Sequence, residues 1–465
     1  MERERLGSRL GFILLSAGCA IGVGNVWKFP WMAGQYGGGM FVLVYLVFLF
    51  ALGLPVMIME FALGRASQSS PVKLYQKLEK EGQKWHLHGY GALIANFLLM
   101  MFYTSVTGWI LYYFISFLKG DMTGITNEAS GQLFGTMLEN PGVMVGFMAI
   151  VVVLGFAILS FGLQKGVERI TKVMMIALLI LIITLAIHSF TLEGAKEGLT
   201  FYLKPDFSKL SGEMVVGAMN QAFFTLSLGI GSMAIFGSYI GKERSLMGES
   251  INILVLDTFV ALTAGLIIFP ACYTFDVQPD AGPNLLFVAM AKVFNNMSGG
   301  RWWGSLFFLF MFFAAMSTII AVFENILACV MELTNWGRKK ACFLCGSAIL
   351  VLSIPCALGF NLWSGFHPFT SGSTILDLED FFVSNCALPL GSLCYVLFCV
   401  SKKGWGFENL LVEANTGKGA KLPHWTKPYV TFVLPCAILL LFLIGIVTFK
   451  FTDTFTLWGW IKGIL

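Results

Sequence analysis

Charge is what this chain lacks most. Asp, Glu, Lys and Arg make up only 12% of its 465 residues and the formal net charge is +4, far below what the surfaces of several soluble domains would need. So mild a balance gives no expectation of a nucleic-acid partner. Histidine is also scarce: His86, His88, His188, His367 and His424 are scattered mainly near loops. No HExxH-type spacing occurs, which argues against a membrane-embedded metalloenzyme. The ten cysteines fall mainly within apolar runs and form no loop framework of the disulfide-stapled kind. Cys342 and Cys345 have CxxC spacing but no partner pair, so no metal or redox role is expected of them. No low-complexity tract, separate soluble domain or ring-forming channel filter is present either.

What is present is apolar sequence. Hydrophobic residues reach 57% and the mean hydropathy is +0.78, and runs of bilayer-spanning length recur from end to end. Polar breaks divide them into eleven expected transmembrane helices, at about 9–33, 40–63, 89–118, 142–160, 169–189, 213–240, 249–274, 302–331, 341–359, 376–400 and 427–449. The chain therefore reads as an all-α polytopic membrane protein. The first segment follows Arg3, Arg5 and Arg9 but is long and leads straight into a second span, unlike a cleavable signal. With the N-terminus inside, 21 of the 30 Lys and Arg fall on the cytoplasmic side. An odd number of spans then puts the C-terminus outside. The loop at about 72–88 alternates charges with Leu and Trp, as an interfacial helix or a solvated linker would.

The first span contains a stretch that should not survive in lipid. Ser16 to Pro30 holds Gly18, Gly22 and Gly24 within seven residues, followed by Asn25, Lys28 and Pro30. Glycine favours backbone freedom over helix, and in hydrocarbon a freed backbone group persists only where protein or a cavity supplies its partner. A helix broken at mid-membrane is expected. The sixth span repeats the anomaly between Gln221 and Ser232, with Gly229 and Gly231. Small residues can also simply let helices pack closely. Two such segments, each opening a block of five helices, point instead to an inverted-repeat transporter whose site lies at the breaks. The repeats would run over about 1–190 and 213–400 of a single domain, 1–465, with an extra helix at about 427–449. Intramembrane polar groups add to this: Asp257 in the seventh span, and Ser317 with Thr318 in the eighth. Carbonyls, hydroxyls and one carboxylate suit a hard cation such as sodium.

Gly22-Val-Gly-Asn-Val-Trp-Lys-Phe-Pro30, Gly37-Gly-Gly39, the run from Gln221 to Gly231, and Leu376-Asp-Leu-Glu-Asp-Phe381 together resemble the neurotransmitter:sodium symporter family, prokaryotic branch, with its leucine-transporter-type fold. The resemblance covers about ten of the eleven spans. It implies two sodium sites. One would use the Ala20 carbonyl, Asn25, Thr225 and Asp257; the other the carbonyls of Gly18, Ile21 and Ala314 with the hydroxyls of Ser317 and Thr318. An amino-acid backbone would meet Ala20, Gly22, Gly24 and Tyr103, and its ammonium the carbonyls of Phe224, Thr225 and Ser227. Tyr103 and Phe224 would form an aromatic lid, Lys28 and Asp380 an outer ion pair, Arg3 and Glu332 an inner pair, and Glu60 a brace for the broken sixth helix.

This sequence departs from the family's usual residues at informative places. Lys28 stands for the usual Arg and loses its bidentate geometry. Cys19 is neutral where amine carriers have Asp, so a substrate with its own carboxylate is expected. Asp257 replaces the common Asn, and Ala261 stands where chloride-dependent members have Ser. Tyr45, Gln221 and Thr225 otherwise keep the chloride neighbourhood. Asp257 is expected to supply the fixed negative charge and make transport chloride-independent, or to exchange a proton on the return step. The side-chain pocket would be lined by Val23, Leu99, Tyr103, Phe224, Ile230 and Val322, with Ser227 and Thr318 at its edge. No charged group is among them, so a neutral hydrophobic or aromatic L-amino acid is the expected substrate. The function implied is sodium-coupled amino-acid symport across the plasma (inner) membrane. A non-transporting sensor on the same fold is the alternative, disfavoured because no sizeable cytoplasmic signalling domain is evident.

Overall fold

The computed structural model describes residues 5–122, 127–277, 285–453 and 455–457. Among them the structure is helical, with no strand beyond two isolated bridges. The chain opens with Arg9–Ala20 (α1) and Gly24–Gln35 (α2), two halves of one span bent by 54°. Continuous helices follow at Gly39–Ser67 (α3), His86–Lys119 (α4), Pro141–Ser160 (α5) and Leu163–Ser189 (α6). A second interrupted pair comes next, Gly212–Thr225 (α7) and Ser232–Gly237 (α8). The rest are Leu246–Thr274 (α9), Gly300–Thr334 (α10), Arg338–Leu358 (α11), Ile375–Val400 (α12), the short Phe407–Asn415 (α13) and His424–Thr448 (α14). Among the described residues nine helices can cross a bilayer unbroken, or ten segments if α1 and α2 count as one span. Neither α7, with 14 residues, nor α8, with 6, could cross alone.

Local chemistry sets the starts of these helices. Ser8, Asn140 and Ser211 each accept a hydrogen bond from a backbone N–H in the first turn of the helix that follows. Pro141 occupies the first turn of α5, where no N–H partner is lost. Thr374 and Asp377 close a capping box at the start of α12.

Burial separates core from periphery. The most apolar windows of α10 and α4 are 78% and 72% buried, against 33% for α6 and α14, so the first two form the centre and the last two face outward. The amphipathic stretch after α3 forms a helix at Pro71–Leu78, but its apolar face is taken up by protein: Val72, Leu74 and Tyr75 are fully buried, and Tyr75 stacks on Tyr395 of α12.

Ion pairs tie the end of the molecule that carries the N-terminus. Arg9 meets Glu249 at 2.9 Å. The fully buried Arg65 reaches Glu413 of α13 at 2.6 Å and the Arg244 carbonyl at 2.8 Å. Arg338 pairs with the buried Glu324, which also accepts from Tyr239 Oη at 2.9 Å.

Candidate functional site: the paired helix breaks

Both anomalous stretches break where the glycines stand. After Ala20 the backbone turns extended at Ile21 (ψ 99°), and helix resumes at Gly24 as a π-helical turn. After Thr225 the chain turns through Ser227, Gly229 and Gly231, all with positive φ (50°, 92° and 79°). At Gly229 a Cβ would also lie 2.3 Å from the Leu388 carbonyl oxygen of α12, so the residue needs both the left-handed backbone and the missing side chain.

Backbone groups freed at the second break find partners on neighbouring helices. Glu60 of α3 accepts the Gly229 N–H at 2.6 Å. The Ile230 carbonyl accepts from Asn96 of α4 at 2.8 Å and from Asn325 of α10 at 3.2 Å, and Asn325 also donates to Asn96 Oδ1 at 3.2 Å. The Asn pair was not singled out from sequence. Its signal was present, since an amide within an apolar span is costly unless it serves another buried polar group.

Between the breaks two oxygen-rich clusters form. In the first, Asp257 is fully buried, accepts from Asn25 Nδ2 at 2.8 Å, and lies 3.4 Å from Thr225 Oγ1 through each carboxylate oxygen. Asn25 turns its amide nitrogen to Asp257 and its oxygen to the Gly22 N–H at 3.1 Å. In the second, Thr318 Oγ1 lies 3.3 Å from the Gly18 carbonyl, 3.2 Å from Cys19, 3.3 Å from Ile21 and 3.5 Å from Ala314. Ser317 Oγ reaches the carbonyls of Ala314 at 2.9 Å and Ile21 at 3.4 Å. A hydroxyl has one proton, so two hydroxyls cannot satisfy so many acceptors. Such a surplus of buried oxygen lone pairs is what a hard cation requires.

A narrow pocket adjoins both clusters. Its walls are Cys19, Ala20, Gly22, Gly24, Leu99, Tyr103, Phe224, Ser227, Ile230, Thr318 and Leu388, and none of them is charged. Its free space is about 20 Å³, room for one water, so a larger guest must push the walls apart. Tyr103 Oη accepts the Val23 N–H at 2.9 Å and holds the two sides together. Of the residues expected to line the pocket, Val23 instead faces the neighbouring cavity and Val322 is buried off the wall, while Thr225 lies beside Asp257, where the first sodium site was expected. Leu388 was not expected; it sits where a π-helical turn of α12, Phe381–Ala387, ends.

A second cavity of about 250 Å³ lies beyond Tyr103 and Phe224, which belong to the walls of both. Trp27, Lys28, Trp31, Phe102, Asp377 and Asp380 also line it. The expected Lys28–Asp380 ion pair is not formed. Lys28 Nζ lies 4.0 Å from the centre of the Phe224 ring, and Asp380 accepts from Ser384 Oγ at 2.6 Å. The open cavity keeps the two charges apart, and each takes a nearer partner. Arg3, expected at the inner gate, lies outside the described residues; Glu332 accepts from Ser70 N at 3.1 Å and Ser70 Oγ at 2.7 Å. Beside the Asp257 cluster, Tyr45 Oη lies within reach of Thr225 and Gln221 Oε1 is buried without a hydrogen-bond partner among the described residues, while Gln221 Nε2 donates to the Gly24 carbonyl at 2.9 Å.

Known proteins share this arrangement. The sequence profile of the Sodium:neurotransmitter symporter family matches residues 3–127 and 126–464. The uncharacterized sodium-dependent transporter YhdH of Bacillus subtilis is 37% identical over 95% of this chain and 98% of its own length. An uncharacterized sodium-dependent transporter of Haemophilus influenzae is 32% identical, again over 95% of this chain and 98% of its own. Among solved structures, MhsT in complex with L-phenylalanine superposes with a TM-score of 0.86 at 37% identity, covering 95% of this chain and 100% of that one.

Proposed function

The chain belongs to the sodium:neurotransmitter symporter family, a family of membrane transporters and not of enzymes, and from that premise we propose that it couples sodium entry to uptake of a neutral hydrophobic or aromatic L-amino acid, without chloride. The observation that carries the reading is a pocket with no charged wall, set against two clusters with surplus buried oxygens. The L-phenylalanine held by MhsT supports the aromatic end of the range.

In this reading one sodium sits among Ala20, Asn25, Thr225 and Asp257, and the substrate carboxylate completes its shell. For that, Asn25 must rotate its amide to present oxygen. A second sodium sits among Gly18, Ile21, Ala314, Ser317 and Thr318. The substrate carboxylate faces the N–H groups released at Gly22 and Gly24, where the half-helix dipole adds positive charge. The ammonium faces the carbonyls of Phe224, Thr225 and Ser227. A buried carboxylate beside sodium is tolerable where either alone would be costly, and this is the physical basis of coupling. Cys19, being neutral, offers an amine-only substrate no counter-charge. Asp257 supplies the negative charge that chloride would otherwise bring, next to Tyr45 and Gln221.

Tyr103 and Phe224 close over the bound substrate, and Lys28 and Asp380 approach as the outer cavity collapses. Arg3 and Glu332 act at the opposite end, and Glu60 braces the sixth-helix break. The repeats 1–190 and 213–400 supply one broken helix each. The protein would lie in the inner membrane with the N-terminus cytoplasmic and the C-terminus outside.

Uptake of labelled L-phenylalanine into proteoliposomes tests the reading. Accumulation should require an inward sodium gradient and persist when gluconate replaces chloride. Uptake without sodium would overturn the coupling; loss of uptake in gluconate would overturn the role given to Asp257.

A further inference from the structure

One buried carboxylate belongs to neither cluster. Glu379, in the opening turns of α12, is 4% exposed, and among the described residues its carboxylate meets no partner beyond the Cys356 thiol. Cys356 of α11 faces it, and Ser105 of α4 adjoins Cys356. Cys356 lies within reach of both Glu379 and Ser105, and the Ser105 hydroxyl is itself buried and unpartnered. The next hydroxyl along α4 is committed elsewhere: Thr104 Oγ1 bonds the Met100 carbonyl at 2.8 Å and Ser353 Oγ at 3.2 Å. No Lys, Arg or His among the described residues pairs with Glu379. The acids nearest along its own helix have partners, Asp377 with the Thr374 N–H at 2.7 Å and Asp380 with Ser384 Oγ at 2.6 Å.

A carboxylate stripped of water, with one thiol as a weak donor and no cation, is too costly to stay ionised. The protonated acid can donate to the Cys356 sulfur. A metal cation fits poorly here, because one hydroxyl and a thiol cannot replace its hydration shell as the carbonyls around Thr318 can. Water is close at hand when the helix moves. Asp377 and Asp380, on either side of Glu379 in sequence, line both the 250 Å³ outer cavity and a second opening of about 450 Å³ that includes Ser371, Asn385 and Lys450. The π-helical stretch Phe381–Ala387 follows directly and loosens the helix at that point.

We propose that Glu379 is a proton-binding site of this transporter, protonated in the arrangement seen here and releasing its proton to the outer cavity when the start of α12 swings inward. The movement that brings Asp380 toward Lys28 carries a cation toward Glu379, and an approaching cation favours the ionised form. Closure is therefore linked to proton release and is favoured as pH rises. The release step rests on the symporter reading above; the resident proton does not.

Two measurements decide this, with Glu379→Gln as the isosteric variant and Glu379→Leu in reserve should the amide not fold. Infrared difference spectra of substrate-free protein, wild type minus variant, should show the carbonyl stretch of a protonated carboxylic acid, shifted in D2O. Absence of that band would overturn the proposal. In weakly buffered sodium solution with a pH dye, L-phenylalanine should release protons from the wild type. The variant should still bind L-phenylalanine but release none. Equal release from both proteins would overturn the link to closure and assign the proton to another group. A wild type that binds no amino acid would count against the symporter reading, and the infrared band would still decide whether Glu379 carries a proton.

Discussion

Gly22 has no room for a side chain. A Cβ there would stand 2.4 Å from Tyr103 Oη and 2.6 Å from Thr318 Oγ1, so alanine must displace both of them. Both groups line the pocket, and Thr318 also belongs to an oxygen cluster. Gly22→Ala should therefore lose roughly tenfold or more in L-phenylalanine affinity, about 1.4 kcal/mol at the least, with thermal unfolding little changed. Scintillation-proximity binding checks the first and a melting curve in detergent the second. Leu388 makes the opposite case. It closes the pocket from α12, so Leu388→Ala should enlarge it and favour larger side chains. Competition by tryptophan should gain on competition by leucine by about 1–3 kcal/mol, the usual scale for apolar pocket edits. An unchanged ratio would mean that Leu388 does not shape the bound state.

At the scale of elements, the breaks were legible because glycine, Asn and Pro are out of place in a lipid-facing helix. The residues that repay the breaks were not. Asn96 and Asn325 meet the same carbonyl from two helices, 134 and 95 residues from Ile230 along the chain, and nothing local announces such a meeting. Arg65 is a similar case. In sequence it is one more positive charge at the inner end of a span; in the fold it is buried and bonded to Glu413, 348 residues away, and to the loop carbonyl of Arg244. It pins α13 and the loop after α8 to the end of α3. Removing one partner of a buried pair usually costs about 3–5 kcal/mol. Here Lys242 remains 3.5 Å from Glu413, so Arg65→Ala should fall at the lower end of that range. Arg65→Lys should recover only part of it, since a point charge cannot serve a carboxylate and a carbonyl in the same fork. Melting temperatures of the purified variants in detergent check both; a wild-type value for Arg65→Ala would show that the clamp contributes nothing.

For the whole molecule, the hydropathy pattern was enough to place the nine unbroken spans and the bent first one, because bilayer thickness imposes one length on them, but not to show the sixth as two short helices. It could not say which helices lie inside: α10 and α6 read alike as apolar runs, yet their most apolar windows are 78% and 33% buried. Nor could it reveal the relation of the gates, since Lys28 turns to the Phe224 ring while Asp380 takes Ser384. That relation matters for coupling. The two oxygen clusters and the pocket share walls: Thr318 belongs to the pocket and the second cluster, and Ala20, expected in the first, is also a pocket wall. Ligands that share walls bind as a unit, and the coupling between them is reciprocal. Whatever factor sodium contributes to L-phenylalanine affinity, L-phenylalanine must contribute to sodium affinity. Titrating sodium with and without L-phenylalanine, and L-phenylalanine at low and high sodium, should therefore give a factor in L-phenylalanine affinity equal to the product of the factors at the two sodium sites, expected at tenfold or more. Thr318→Val removes a hydroxyl from the second cluster and keeps the residue's volume, so it should weaken both factors together. If it lowers L-phenylalanine affinity but leaves the sodium response intact, Thr318 is a pocket wall alone and the second cluster does not take part in coupling.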